Sequence, residues 1–318
     1  MENELDFFRI TTSRGVAFVV GPEKVTHTIH QGLLAQLCPS LRAIADTKAL
    51  EKGLETVEWP DVDQETFSKF SEWVYRSSYS PPKLDEPTDC PIPKMYAAGA
   101  FSLLTFTEDH ELSNFLIRAN SESSTCSLCE GRVKWDSAPT ACLCCGNKDV
   151  LTSTCSVCGK RDVSHCTRCS GGPRPAKRLN LAREFVHLGG FSLPDMRGLG
   201  VQHYGLDFSP VFLCHAKIYV LGNNKRLDEL KDRAFWSLHV ALCEYVLYPS
   251  FPDSRESILR LILYVFQNTG QGDGLRDMLA KYCAIVAEEL EGSEGWEYLL
   301  QKVPQFAFAF VQQSRRRW

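Results

Sequence analysis

The spacing of hydrophobic positions changes period several times along the chain. Val16-Ala17-Phe18-Val19-Val20 and Val25-Thr26-His27-Thr28-Ile29 are rich in β-branched and aromatic residues and are separated by Gly21-Pro22. That pattern predicts two paired strands with a turn between them. Leu33, Leu34, Leu37, Leu41 and Ile44 then recur at steps of three to four, which predicts helix. Pro39 lacks the backbone N–H that a helix interior uses, so the helix divides into two short pieces. Thr56-Val57-Glu58-Trp59 predicts a third strand. Asp63 stands at an N-cap position with Glu65 in the first turn, and Phe67, Phe70 and Val74 line one face of a helix ending near Tyr75.

Regular structure breaks after Tyr79, where Pro81, Pro82, Pro87, Pro91 and Pro93 crowd a loop. From Met95 to Arg118 the chain is apolar enough to pack, through Phe101, Leu103, Leu104, Phe106, Leu112, Phe115 and Leu116, with helix and strand hairpin both open. Residues 121–172 are poor in large aliphatic side chains and rich in Cys, Ser, Thr and Gly. Such a stretch buries little apolar surface and needs another source of stability. Helical periodicity returns from Phe208. Ile258, Leu261, Ile262, Val265 and Phe266 form one apolar stripe, opened by Pro252-Asp253-Ser254 and stopped by Gly270. Leu275, Leu279, Tyr282, Val286 and Leu290 form another, and Arg315-Arg316-Arg317 reads as a frayed tail.

The chain has 318 residues, 44% of them hydrophobic, and a formal net charge of -4, the composition of an ordinary globular protein. The acidic start Met1-Glu2-Asn3-Glu4 does not resemble a secretory signal, and no apolar run reaches the length of a spanning helix. The expectation is a protein of the cytosol or nucleus with no membrane partner. In that reducing setting the 14 cysteines call for burial, metal or redox chemistry and not for disulfides.

Two blocks carry a family resemblance. Ile29-His30-Gln31-Gly32-Leu33-Leu34 followed by Cys38-Pro39-Ser40-Leu41-Arg42-Ala43 resembles the strand-to-helix segment of BTB/POZ domains. Val57-Glu58-Trp59-Pro60-Asp61-Val62-Asp63-Gln64-Glu65-Thr66-Phe67, ending in Trp73-Val74-Tyr75, is similar to the family's strand, Asp-rich turn and aromatic helix, particularly in fungal members. His215-Ala216-Lys217-Ile218-Tyr219-Val220-Leu221 and Leu227-Asp228-Glu229-Leu230-Lys231 resemble the helical pair that closes that fold. The resemblance implies an α+β protein: a BTB/POZ-like N-terminal part (1–118), a cysteine-rich insertion (119–175), a linker (176–207), and a helical part that closes and extends the domain (208–318). It also implies protein partners, homodimerisation and, as in some members, adaptor duty toward a cullin scaffold of a ubiquitin ligase. His30 is read as a packed, hydrogen-bonded histidine without a catalytic role.

The insertion holds four successive Cys-x-x-Cys pairs: Cys126 with Cys129, Cys142 with Cys145, Cys155 with Cys158, and Cys166 with Cys169. Each pair can aim two thiolates at one metal, and Gly146 and Gly159 directly after two of the pairs allow the tight reversal of a knuckle. Four pairs predict two tetrahedral zinc sites. The simplest pairing is sequential, first pair with second and third with fourth; cross-bracing, first with third and second with fourth, is the alternative. Cys144 or His165 could replace a neighbouring ligand. A redox dithiol would be a single pair at a helix start, which disfavours that reading. Cys38, Cys90, Cys214, Cys243 and Cys283 lack a close partner and read as packed thiols.

Phosphate loop, nucleophile elbow and His-Glu-x-x-His signatures do not occur, so the expectation is a binding protein and not an enzyme. The rival class is a zinc-dependent nucleic-acid binder or transcription regulator using Lys160, Arg161, Arg168, Arg174, Lys177, Arg178 and Arg183. The overall acidity and the lack of interleaved aromatics weigh against nucleic acid.

Overall fold

The computed structural model describes residues 7–37, 39–45, 56–84, 101–103, 107, 133–140, 150–155, 161–163, 173–188, 207–247, 252–291 and 293–316. Among them the chain order begins α1 (Phe7–Thr11), β1 (Gly15–Val20), β2 (Val25–His30), α2 (Gln31–Leu37), α3 (Pro39–Ala45), β3 (Val57–Trp59) and α4 (Gln64–Arg76). It continues with β4 (Phe101–Ser102), β5 (Val133–Thr140), β6 (Val150–Cys155), β7 (Arg161–Val163) and α5 (Pro173–Val186). The remainder is α6 (Ser209–Lys225), α7 (Asp228–Glu244), β8 (Val246–Leu247), α8 (Pro252–Asn268), α9 (Gly274–Ile285), α10 (Ala287–Leu290), α11 (Glu294–Lys302) and α12 (Pro304–Ser314). The architecture is mixed α+β and mostly helical. The chain divides into two compact units: 1–88 with 206–239 and 267–269, and 89–205 with 240–266 and 270–318.

In the first unit, β1 pairs antiparallel with β2, Val16 beside Ile29 and Val20 beside Val25. Gly21 turns the chain at a φ of +70°, where a Cβ would also meet the Val62 carbonyl oxygen. Such a backbone suits glycine. β3 joins β1 in parallel, giving the order β2-β1-β3. Pro39 starts α3 directly after α2, as the sequence predicts. Asp63 caps α4, accepting the Thr66 backbone N–H at 2.8 Å, and Ser77 closes the helix in the left-handed region with its N–H on the Trp73 carbonyl. Phe18, at the centre of the sheet, is fully buried, its ring 5.2 Å from Trp59 and 5.3 Å from Phe67. Phe70, Trp73 and Val74 extend that core along one face of α4.

Helix α6 packs on α4, although some 130 positions of sequence separate them. Phe212, Ile218, Tyr219 and Leu221 are buried. Gly222 lets α6 approach the start of α7 closely, since a Cβ there would stand 2.8 Å from the Lys231 backbone nitrogen. Lys225 reaches Asp61 at 3.1 Å and lies over the Trp59 ring, and Lys217 reaches Asp63 at 3.1 Å.

The second unit is built around α9, which is buried almost throughout. Asp273 caps it through the Leu275 N–H. Buried Arg276 donates to the Phe266 carbonyl at 2.7 Å and stacks on the Phe266 ring, tying the end of α8 to the start of α9. The stripe from Leu275 to Leu290 is buried as expected, but α9 stops at Val286 and Leu290 belongs to the separate turn α10. Trp296, Phe306 and Phe310 form an aromatic group joining α11 to α12. Within 95–118, Phe101–Ser102 forms a short strand that pairs with Val246–Leu247.

Two expectations change. The stretch 176–207, expected as a linker, carries most of α5, in which Leu179, Ala182, Phe185 and Val186 are buried and Phe185 meets Tyr282 at 5.7 Å between ring centroids. Pro173 and Pro175 fall in its first turn, where a missing N–H is not used, so they open the helix instead of preventing it. At the C-terminus, expected to fray, Arg316 pairs with Glu184 of α5.

Candidate functional site

Of the eight cysteines expected to hold metal, Cys126, Cys129, Cys142, Cys145, Cys158, Cys166 and Cys169 lie outside the described residues, as do Cys144 and His165. Cys155 is the last residue of β6. The surrounding framework is an antiparallel meander in the order β5-β6-β7. Val133 stands beside Cys155, Thr140 beside Val150, Arg161 beside Thr154 and Val163 beside Thr152. The register shifts between Asp136 and Thr140, so β5 carries extra residues against β6. A bulge of that kind bends a strand and increases its twist. Among the described residues no group of three or more His, Cys, Asp or Glu side chains is placed to hold a metal ion.

The thiols read as packed residues fall into two classes. Cys38 and Cys90 lie outside the described residues. Cys214, Cys243 and Cys283 are buried, and none of them is in a disulfide. Burial pushes the Cys214 thiol up to about 11, and it pushes those of Cys243 and Cys283 further still. A nucleophilic or metal-binding cysteine needs the opposite shift, toward thiolate at neutral pH.

His30 is half-buried and its Nδ1 lies 2.8 Å from the Tyr75 hydroxyl, which also accepts the His30 backbone N–H at 3.3 Å. The sequence does not reveal a second polar group, formed by Tyr79, His215 and Ser237. The Tyr79 hydroxyl lies 2.8 Å from Nδ1 of His215. Desolvation raises the Tyr79 hydroxyl far above its ordinary value, against a hydrogen bond from Ser237 that works the other way. The phenol therefore stays protonated at neutral pH. Burial pushes His215 down to about 4, so it is neutral near pH 7. Acid–base catalysis favours groups that titrate near the working pH. Tyr79, His215 and Cys214 are all displaced from it, and this group is a satisfied core network. Tyr79 sits outside any periodic segment, so only the three-dimensional fold brings it to His215.

The basic residues of the rival reading separate as well. Arg178 is buried and donates to Glu288 at 2.6 Å and to both carboxylate oxygens of Glu289 at 2.7 and 2.8 Å. A guanidinium engaged this way is a packing element and not a phosphate contact. Lys160 and Arg168 lie outside the described residues, and Arg161 and Arg174 stand in β7 and α5. No helix among the described residues is long and apolar enough to cross a membrane. Comparison of the chain with protein-family models, with curated proteins and with solved structures returned no match.

Proposed function

We propose that this chain is a non-catalytic interaction protein of the cytosol or nucleus, in which a BTB/POZ-like unit provides an assembly surface and the cysteine-rich insertion is held together by two zinc ions. The observation that carries this reading is the discontinuity of the first unit. Residues 1–88 and 206–239 form one compact body, and α6 packs on α4 across the whole cysteine-rich stretch. What supports the reading is the chain order of the blocks that resemble that family: strand into broken helix, third strand, Asp-capped aromatic helix, and a helical pair after the insertion. A domain that closes across an insertion tolerates that insertion only where it leaves the core intact. An insertion of this length and composition calls for its own source of stability.

Zinc supplies that source by joining chain segments that bury little apolar surface, and its binding free energy becomes folding free energy. Two roles follow for the protein: self-association or partner capture through the first unit, and presentation of the zinc module as a second surface. The pairing of buried Arg178 with Glu288 and Glu289 removes one cation from the nucleic-acid alternative, so the protein-interaction reading stands ahead of it. The test is the mass of the purified full chain by light scattering across a range of concentrations, together with retention on an immobilised cullin scaffold. A concentration-dependent dimer, or cullin retention, is the expected result. A monomer at every concentration that also fails to bind cullin overturns the assembly reading.

A further inference from the structure

We propose that Ser80 is a phosphorylation site for a proline-directed protein kinase, and that the phosphate opens a clasp between Ser80 and Glu72 that keeps Tyr79 against His215. The proposal goes beyond the function read above, since it assigns a modification site and depends neither on zinc nor on an assembly partner. It stands on a sequence motif, on the exposure of the serine and on the hydrogen bonds that the serine makes.

The chain contains two Ser-Pro dipeptides, Ser80-Pro81 and Ser209-Pro210, and no Thr-Pro. Ser209 is buried in the first turn of α6, out of an enzyme's reach. Ser80 is exposed, and residues 78–84 form neither helix nor strand. Pro81 and Pro82 hold that stretch extended, because each fixes its own φ and disfavours the helical region for the residue before it. An exposed serine on extended chain is the form in which a kinase active site takes its substrate. Proline directly after it brings no backbone N–H, so it suits a pocket with no acceptor at that point, where any other residue would bury an unpaired donor. Lys83 stands three positions after Ser80 and is exposed, which places a cation where kinases of the cyclin-dependent class favour one.

In the unmodified chain the Ser80 hydroxyl donates to one Glu72 carboxylate oxygen and the Ser80 backbone N–H to the other, both at 3.2 Å. That clasp ties the stretch after α4 back to α4 itself. Lys69 at 3.6 Å and Arg76 at 3.2 Å flank the same carboxylate. The adjacent residue, Tyr79, reaches α6, its hydroxyl 2.8 Å from Nδ1 of His215, so the clasp stands beside a contact that joins the two separated stretches of the first unit. A kinase transfers the γ-phosphoryl group of ATP to the Ser80 oxygen, releasing ADP and the hydroxyl proton. The ester oxygen that remains no longer donates to Glu72, and the phosphate brings about 1.5 to 2 negative charges next to a carboxylate. Lys69 and Arg76 then face roughly three negative charges in place of one, more than two cations neutralise. Like-charge repulsion separates Ser80 from Glu72, and Tyr79 leaves His215 with it.

The experiment treats the full chain with a purified cyclin-dependent kinase and Mg-ATP, maps phosphate by mass spectrometry, and follows amide hydrogen exchange before and after. The expected result is phosphate on Ser80 and none on Ser209, with several-fold faster exchange in residues 78–84. Ser80→Ala, a change at an exposed position, should carry no phosphate there and keep its exchange rates through the treatment. A kinase that modifies a control Ser-Pro-x-Lys peptide but leaves Ser80 of the chain unmodified overturns the site. Phosphate on Ser80 with unchanged exchange in 78–84 overturns the clasp. Glu72→Gln removes the charge that repels the phosphate, so phosphorylation of that variant should quicken exchange less than in the unaltered chain. An equal gain in both overturns the cause assigned to the opening.

Discussion

His215 shows how burial sets the chemistry of a single side chain. It is neutral in the fold because desolvation holds it near 4, and its Nδ1 lies 2.8 Å from the Tyr79 hydroxyl. Its folded value lies below its unfolded value, so below the unfolded value the unfolded chain binds more protons. Its contribution is complete above about pH 6.5 and is lost as the pH falls from there toward 4. The full shift corresponds to about 3 kcal/mol. Denaturation of the full chain at a series of pH values should show this acid limb, and His215→Gln, which keeps an acceptor for Tyr79 but does not titrate, should flatten it. An unchanged pH profile would remove His215 from the account. Arg178 makes a second prediction at this scale. Arg178→Met leaves half-buried Glu289 without its charge-assisted hydrogen bonds and should cost about 1–3 kcal/mol, read as a lowered denaturation midpoint.

At the scale of elements, close approach and capping decide the geometry. Gly222→Ala forces a methyl group against the Lys231 backbone, so α6 and α7 must separate, and a loss of thermal stability of several degrees is expected. An unaltered melting temperature would show that the contact relaxes freely. The elements of the first unit were legible in the sequence because their signals are local: alternation in β1 and β2, Pro39 between α2 and α3, and Asp63 before α4. α5 was hidden because Pro173, Pro175 and a run of basic residues resemble a connector, and its buried face matters only once α9 is beside it. The break at Val286 was hidden because the apolar stripe continues through it into α10. The four cysteine pairs were plain in the sequence, but their grouping was not. Of the eight cysteines only Cys155 falls within the described residues, at the end of β6.

For the whole molecule, each unit has its own apolar core, and the proposed reading adds a metal-dependent framework in the cysteine-rich stretch. Phe18 is the centre of the first core, touching Trp59 and Phe67, and Phe18→Ala should cost about 3–5 kcal/mol. Zinc removal should leave that core standing and unfold the meander, because Phe18, Phe67 and Phe212 pack without any cysteine pair. The central claim is that the insertion is a structural metal module within an interaction protein, and metal content tests it most directly. Elemental analysis of the purified chain should give about two zinc ions, falling to about one in Cys155→Ser and to about one in Cys166→Ser. A chain purified without chelator that carries no zinc, or variants that keep the full complement, would contradict the claim.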